Sequence, residues 1–468
     1  MPPINVSRGP AVAGLVTSGV IAAMIAFEYT GWSGFGAAAA ILAVLAVTLF
    51  APSVRPSRLV FVAVAVLLTG WAVLTQDDWL SALLRAAQLG ATVISLFTAL
   101  SALRNTAMSS SAILDCGRFL ARQRPGLRYV ALTLGGHLFS LILLYGSISL
   151  LGSLAAESSA REPNPVVRTQ RTRRMMIAIQ RGFASTLCWS PLGFSMVITT
   201  TIVPGADWAT AALPCIISAI LMLVIGWGLD AIYKPPATGT VWAGETKRWS
   251  VQLRPLLLLL GVVIVGVAAL HVLTGVEVIG AVMLFVPVLA LVWIYRQPPP
   301  ADMSKGEHAR RRAKGFMLTE LPGYNNEILL LFMAGFIGSI GGFLLAPLAS
   351  THGPDLTTVP PWIILAMMIW IIPITGQLGM NPILAVSLLV PILPTPAEMG
   401  IAPTALVAAI TGGWALSGTT SPYTASVLLA AKLGGVSAAR AGLGWNGVYT
   451  LVAGAAMTGW AVGLIYIL

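Results

Sequence analysis

Charge is scarce in this sequence. Only 9% of its 468 residues are Asp, Glu, Lys or Arg, against about a quarter in an average soluble domain. So little charge cannot cover a water-exposed surface, which excludes a soluble globular protein and leaves an integral membrane one. Acidic residues are scarcest, 16 against 27 Lys and Arg, for a formal net charge of +11. In an apolar chain that excess marks basic loops gathered on the cytoplasmic side of a bilayer, so no nucleic acid is expected as a partner. The three cysteines, Cys116, Cys188 and Cys215, lack paired or metal-ligand spacing, so neither a structural disulfide nor a zinc site is expected. A phosphate-binding glycine loop and a nucleophile with a matching base are also missing, and the chain is expected not to be an enzyme. No cytoplasmic segment is long enough for a nucleotide-binding domain, which excludes an ATP-driven pump.

What is present is apolar, at 57% hydrophobic residues and a mean hydropathy of +0.87. Several runs approach or exceed the roughly 20 residues of a spanning helix. Those at about 11–29, 35–51, 58–75 and 80–103 predict four, separated by Glu28, then Arg55 and Arg58, then Asp77 and Asp78. Placing arginine-bearing loops in the cytoplasm puts the N-terminus inside and the C-terminus outside. Residues 110–123 predict an amphipathic helix in the membrane plane, with Ile113, Cys116 and Leu120 on one side and Asp115, Arg118 and Arg122 opposite. Residues 129–155 are long enough to cross, yet both flanks are basic, the far one through Arg161, Arg168, Arg171, Arg173, Arg174 and Arg181. A re-entrant hairpin turning near Gly146 keeps both flanks inside. A second hairpin, entering from outside, is predicted over 361–395, interrupted between Pro373 and Pro382 and flanked by Asp355 and Glu398. On this topology every Lys and Arg except Arg85 is cytoplasmic.

Two further apolar segments carry a break, at Ser190-Pro191 and Ser421-Pro422. Proline lacks a backbone N–H and pushes the preceding residue away from helical geometry. At membrane depth such a break is tolerated only where protein or a watery cavity surrounds it. The two breaks lie 231 residues apart, Gly182 and Gly413 each precede the leading serine by eight residues, and Ser195 and Ser426 each follow it by five. The expected fold is an all-α polytopic membrane protein of about 11 transmembrane helices plus two re-entrant hairpins, arranged as inverted repeats. After an extra N-terminal helix (1–34), repeat 1 (35–233) holds scaffold helices 35–103, hairpin 129–155 and broken helix 172–203. A cytoplasmic linker (234–250) leads to repeat 2 (251–468), with scaffold helices 251–350, hairpin 361–395 and broken helix 400–432.

This order of helices, hairpins and Ser-Pro breaks resembles the ion transporter superfamily of elevator-type carriers, which includes divalent anion:sodium symporters and arsenite permeases. Where those symporters carry Ser-Asn-Thr at each hairpin tip, this chain has Gly146-Ser147-Ile148-Ser149 and Thr375-Gly376-Gln377. The resemblance implies a homodimer, with the early helices of each repeat as scaffold and the hairpins and broken helices moving together as a transport domain.

The candidate site lining is Ser147, Ser149, Ser190, Ser195, Thr375, Gln377, Asn381, Thr419, Thr420, Ser421 and Ser426. Neutral oxygens of this kind suit sodium, and helix N-termini at the breaks suit an anion. A lone hydroxyl in a membrane helix is more often a packing contact, so the weight falls on the breaks and tips. The broken helices contain no Asp or Glu, and the interior histidine candidates are His137 and His271. That favours sodium over proton coupling. The expected function is secondary active transport in a bacterial-type inner (cytoplasmic) membrane: sodium-coupled uptake of a small organic anion by elevator-type alternating access. Sodium is the expected coupling ion with no other cofactor, and the partners are lipid and a small-molecule or ion substrate. The alternatives are an exporter or exchanger of an inorganic oxyanion or ion, a proton-coupled carrier and, outside transport, a membrane-embedded enzyme or structural component.

Overall fold

Inside lipid every backbone N–H and C=O must be paired within the protein, and a chain this apolar meets the demand with helices. A computed structural model describes residues 8–233, 248–300, 302–352 and 356–468, and no strand occurs among them. In chain order the helices are α1 (Arg8–Thr30), α2 (Ser33–Phe50), α3 (Pro56–Thr75), α4 (Trp79–Met108), α5 (Ser111–Ala121), α6 (Pro125–Leu143) and α7 (Gly146–Ala160). There follow α8 (Pro165–Thr186), α9 (Phe194–Ile202), α10 (Trp208–Tyr233), α11 (Trp249–Gln252), α12 (Arg254–Thr274), α13 (Val278–Arg296) and α14 (Lys305–Gly315). The last are α15 (Asn325–His352), α16 (Pro361–Gln377), α17 (Pro382–Leu389), α18 (Pro403–Thr420), α19 (Ala425–Gly434) and α20 (Trp445–Ile467). Proline opens α3, α6, α8, α16 and α18, at the one helical turn where its missing N–H costs nothing.

Ten segments among the described residues are long and apolar enough to cross a membrane, which makes the chain an integral, polytopic membrane protein. The count differs from eleven in an instructive way. Neither broken segment qualifies as a continuous span, whereas α6, the first arm of the expected hairpin, does. Residues 1–7 of the N-terminal segment and 234–247 of the linker lie outside the described residues.

The chain forms two compact units, each drawn from separated stretches. One comprises Met1–Thr106, Val262–Pro354 and Ser387–Ile392; the other comprises Ala107–Gly261, Asp355–Val386 and Leu393–Leu468. In the first unit α3, α4 and α15 share a core of Ala72, Ala82, Ala86, Ile340 and Leu344. Gly90 and Gly335 bring α4 and α15 so close that a Cβ on Gly335 would sit 3.3 Å from the Gly90 backbone, the small-residue packing expected between helices in lipid. The outward faces stay apolar: Leu67 and Leu74 on α3 and Leu273 on α12 are exposed, as lipid contact requires.

The second unit holds the pair α6 and α7 and, later in the chain, α16 with the start of α17, whose end from Ser387 belongs to the first unit. α6 and α7 are joined at Leu144 and Tyr145 and both pack on α8. Leu144 has φ +49°, in the left-handed region that a branched side chain adopts only when its surroundings impose it. In the other pair the chain departs from the expected interruption at Pro373. α16 runs through Pro373 to Gln377, and the turn covers only residues 378–381, with Gly379 at φ +90°. A proline removes one helical hydrogen bond, and neighbouring helices can supply the loss. The amphipathic segment forms α5, with Ile113, Cys116 and Leu120 buried as expected, but its apolar face packs on α6 and α7. Burial there pushes the Cys116 thiol above its usual range. Asp115 and Arg118 form an exposed ion pair of 2.8 Å.

Candidate functional site

The two broken helices are α8–α9 and α18–α19, and they break by the same set of bonds. The Ser190 N–H donates to the Thr186 carbonyl and the Ser421 N–H to the Ser417 carbonyl, both at 2.9 Å. Each leading serine then turns its hydroxyl to a backbone N–H two residues on: Leu192 N–H to Ser190 Oγ at 3.2 Å, Tyr423 N–H to Ser421 Oγ at 3.3 Å. These are the turns by which serine offers a backbone an alternative to the helix. The serine five residues on reaches back across the break, Ser195 to the Leu187 carbonyl and Ser426 to the Gly418 carbonyl. The paired glycines also act alike. A Cβ on Gly182 would overlap the Thr133 carbonyl of α6, and one on Gly413 would lie 2.7 Å from the Met368 carbonyl of α16. Each glycine therefore sets the distance between a broken helix and its neighbouring pair. The breaks adjoin, because a Cβ on Gly418 would lie 3.1 Å from the Leu187 side chain.

The second break meets the tip of the second pair. Ser421 Oγ donates to the Gly376 carbonyl at 2.6 Å. Ser417 is fully buried and its Oγ has no hydrogen-bond partner. It lies 2.5 Å from where a Gly376 Cβ would stand. Two hydroxyls and a carbonyl thus converge on one spot, with one hydroxyl unsatisfied.

The sequence-predicted residues fall into three groups. Ser190, Ser195, Ser421 and Ser426 hold the breaks, as described. Ser147 is buried at the first tip, with its Oγ 2.6 Å from Ser140 Oγ and donating to the Leu144 carbonyl at 2.7 Å; Asn381 caps α17 by accepting from the Ile383 N–H at 2.9 Å. The rest are turned elsewhere. Thr419 and Thr420 both donate to the Leu416 carbonyl at 2.8 and 2.9 Å, and Thr375 to the Ile372 carbonyl at 3.1 Å, each within its own helix. Gln377 is half-buried at the end of α16, and Ser149 is exposed.

Arg181, counted from the sequence with the basic cytoplasmic flank, is 6% exposed inside the second unit. Its Nε donates to Asn446 Oδ1 at 3.0 Å, and its Nη1 to Tyr129 OH at 3.1 Å and the Gly226 carbonyl at 3.3 Å. The guanidinium lies 4.2 Å from the Tyr449 ring centre, a cation–π distance. Asn446 Nδ2 donates to Gln180 Oε1 and to the Thr419 carbonyl, and Gln180 Nε2 reaches the same carbonyl at 3.2 Å. The second break is thereby capped by two amides. Sequence reading missed Gln180, Arg181, Ser417 and Asn446. The available signal was position: Arg181 lies seven residues beyond Arg174, inside an apolar run, and Asn446 is a lone amide in an apolar span.

The two histidines differ. His271 Nδ1 lies 2.8 Å from the Val276 carbonyl, a local pairing at the end of α12. His137 on α6 has Nδ1 2.7 Å from Ser185 Oγ and stacks on Trp189, placing it against the first break.

No protein-family model matches the sequence, and none of the curated proteins matches it. The fold is similar to that of the Alcanivorax borkumensis YdaH transporter, with a TM-score of 0.56 at 16% identity over 88% of this chain and 97% of that one. It is also similar to Neisseria gonorrhoeae MtrF, described as illuminating a class of antimetabolite efflux pumps, with a TM-score of 0.54 at 14% identity over 89% of this chain and 96% of that one. At such identities the likeness is one of fold.

Proposed function

We propose that the chain is a secondary transporter of the inner membrane that couples sodium to the uptake of a small organic anion by elevator-type alternating access. The observation that carries this reading is the convergence of Ser417 Oγ, Ser421 Oγ and the Gly376 carbonyl in a fully buried place with one hydroxyl unpaired. A buried polar atom without a partner is costly, and a sodium ion accepts hydroxyl and carbonyl oxygens without demanding a carboxylate. Two breaks with the same bonds support a repeat architecture of the kind secondary transporters use. The grouping of α6, α7, α16 and both broken helices in one compact unit supports a moving transport domain, and the fold likeness to two transporters supports transport over catalysis. Homodimerisation belongs to the same proposal.

Thermal-shift titration of the purified protein with sodium, and with choline at equal ionic strength, tests the coupling ion. Sodium is expected to raise the unfolding midpoint and choline not to, since a ligand at 100 times its dissociation constant adds about 2.7 kcal/mol. Ser417→Ala and Ser421→Ala should each weaken that response. A second reading, proton coupling, is favoured by one observation: His137 sits against Ser185 and Trp189 at the first break. No sodium response, with transport in proteoliposomes that follows a pH gradient and is lost in His137→Gln, would replace sodium with protons. Direction is tested in the same vesicles by loading the solute on either side; net extrusion would favour the exporter.

A further inference from the structure

The least explained group in the second unit is Arg181. It is 6% exposed, and the ion pairs among the described residues, Arg118 with Asp115, Arg161 with Glu157 and Arg174 with Asp230, do not include it. Its partners Asn446, Tyr129 and Gly226 are neutral acceptors, and Tyr449 offers a ring face. They orient the guanidinium without pairing its charge, and the carboxylate near Tyr129, Asp230, is bonded to Arg174 at 2.7 Å; a buried cation without an ion-pair partner is costly. Nη2 makes no hydrogen bond among the described residues.

Helix packing does not require this charge. At the corresponding place in the other broken helix, 231 residues on, stands Gly412, and a Cβ there would lie 2.6 Å from the Met457 side chain. Met457 in turn corresponds to Gly226, which faces Arg181. The same space is filled once by an apolar side chain and once by a cation. Asn446 ties that cation to the second break, since it holds Arg181 Nε with its oxygen and the Thr419 carbonyl with its nitrogen.

We propose that Arg181 is the fixed positive charge of an anion subsite, receiving a carboxylate, sulfonate or other oxyanion group of the transported solute on Nη2. This rests on the transporter reading and assigns its solute a residue. Arginine suits the role because its planar fork holds three fixed partners and still presents a donor edge to an anion, which a lysine ammonium cannot do. An anion at Arg181 and a sodium ion beside Ser417 attract each other in a low-dielectric interior. Each therefore tightens the binding of the other.

The test is thermal-shift titration of the full-length protein with succinate, methanesulfonate and sulfate at constant ionic strength, with uncharged succinamide as control, in sodium and in choline. At least one anion is expected to raise the midpoint, more strongly in sodium, and succinamide is not. Arg181→Lys is expected to weaken the anion response at least tenfold, with half-saturation by sodium within twofold of the parent. Arg181→Gln should abolish the anion response; if that variant does not fold, Arg181→Lys decides. An unchanged anion response in Arg181→Lys overturns the subsite and leaves the transporter reading intact. So does a parent protein that responds to sodium and to none of the three anions, or to succinamide as well as to succinate. The transporter reading fails separately, by absence of solute flux in proteoliposomes of the parent protein.

Discussion

The first and second breaks share a backbone and differ in what surrounds it. The leading serine, the serine five residues on and the bond closing each break recur at one offset of 231 residues. Around them the chemistry diverges. Gln180 and Asn446 bond to each other at 3.1 Å and cap the Thr419 carbonyl. The residues at the corresponding positions, Thr411 and Cys215, touch only through a thiol and a hydroxyl 3.9 Å apart. The geometry of a break is local and follows from proline and serine. Its electrostatics come from helices far away in sequence. One fold element has thus been used twice, once beside His137 and a thiol and once with a charge and two amides behind it.

The sharpest way to break the comparison is to remove the amide. Asn446→Ala removes the donor to Gln180 Oε1, takes one of the two amides from the Thr419 carbonyl and leaves Arg181 without its Nε partner, so it is expected to cost about 3–5 kcal/mol. Cys215→Ala, at the corresponding position, loses a small apolar volume and should cost about 1 kcal/mol. Equal shifts of the unfolding midpoint in the two variants would mean that the surroundings of the breaks do not differ in energy.

Next come the glycines. Gly182→Ala forces its methyl into the Thr133 carbonyl, and Gly413→Ala meets backbone oxygens at 2.7 and 2.9 Å. Both should destabilise, by about 1–3 kcal/mol as overpacked sites do, with Gly182→Ala the worse. The reverse order would place the tighter contact at the second break. The leading serines should show a smaller stability effect but a clear functional one. Ser421 Oγ bonds to the Gly376 carbonyl and the Tyr423 N–H, whereas Ser190 Oγ is bonded only to the Leu192 N–H. Ser421→Ala is therefore expected to reduce transport more than Ser190→Ala, at an unfolding cost of about 1 kcal/mol. Flux measured side by side decides it.

The smallest effect concerns how each broken helix is entered. Asn164 caps α8 through a neutral oxygen that accepts from the Val166 and Val167 N–H groups. Ahead of α18, Glu398 accepts from the Thr395 N–H at 2.7 Å and its hydroxyl at 2.8 Å. These bonds, the backbone one foremost, hold the Glu398 carboxyl below its ordinary value of 4.5. A lowered folded-state value means that the contribution is fully present above the unfolded value and is lost as pH falls through the folded one. Exchange of the Thr395 amide should therefore quicken, beyond the intrinsic pH effect, only as the pH falls below 4.5. The Val166 amide should show no such change, and Glu398→Gln should erase it at Thr395.

Much of the fold was legible because its signals are local. Apolar run length located the spans, Ser-Pro located both breaks, and Gly182 and Gly413 stood out as matched positions whose close approaches the structure then showed. The same local logic misread Arg181, which ends a run of arginines and was counted with them, and it stopped the α16 helix at Pro373. In both cases neighbouring helices supplied what the local sequence lacked: acceptors and a ring face for the guanidinium, packing for the interrupted backbone.

By itself the sequence determined that this protein lives in a membrane and where two of its helices break, because hydropathy, proline sterics and serine turns act over a few residues. Only the tertiary structure decided that Ser417 is buried without a partner beside Gly376, and that Arg181 and Asn446, 265 residues apart, are bonded. Burial and pairing of polar groups depend on which helices meet, and no short stretch of chain contains that information.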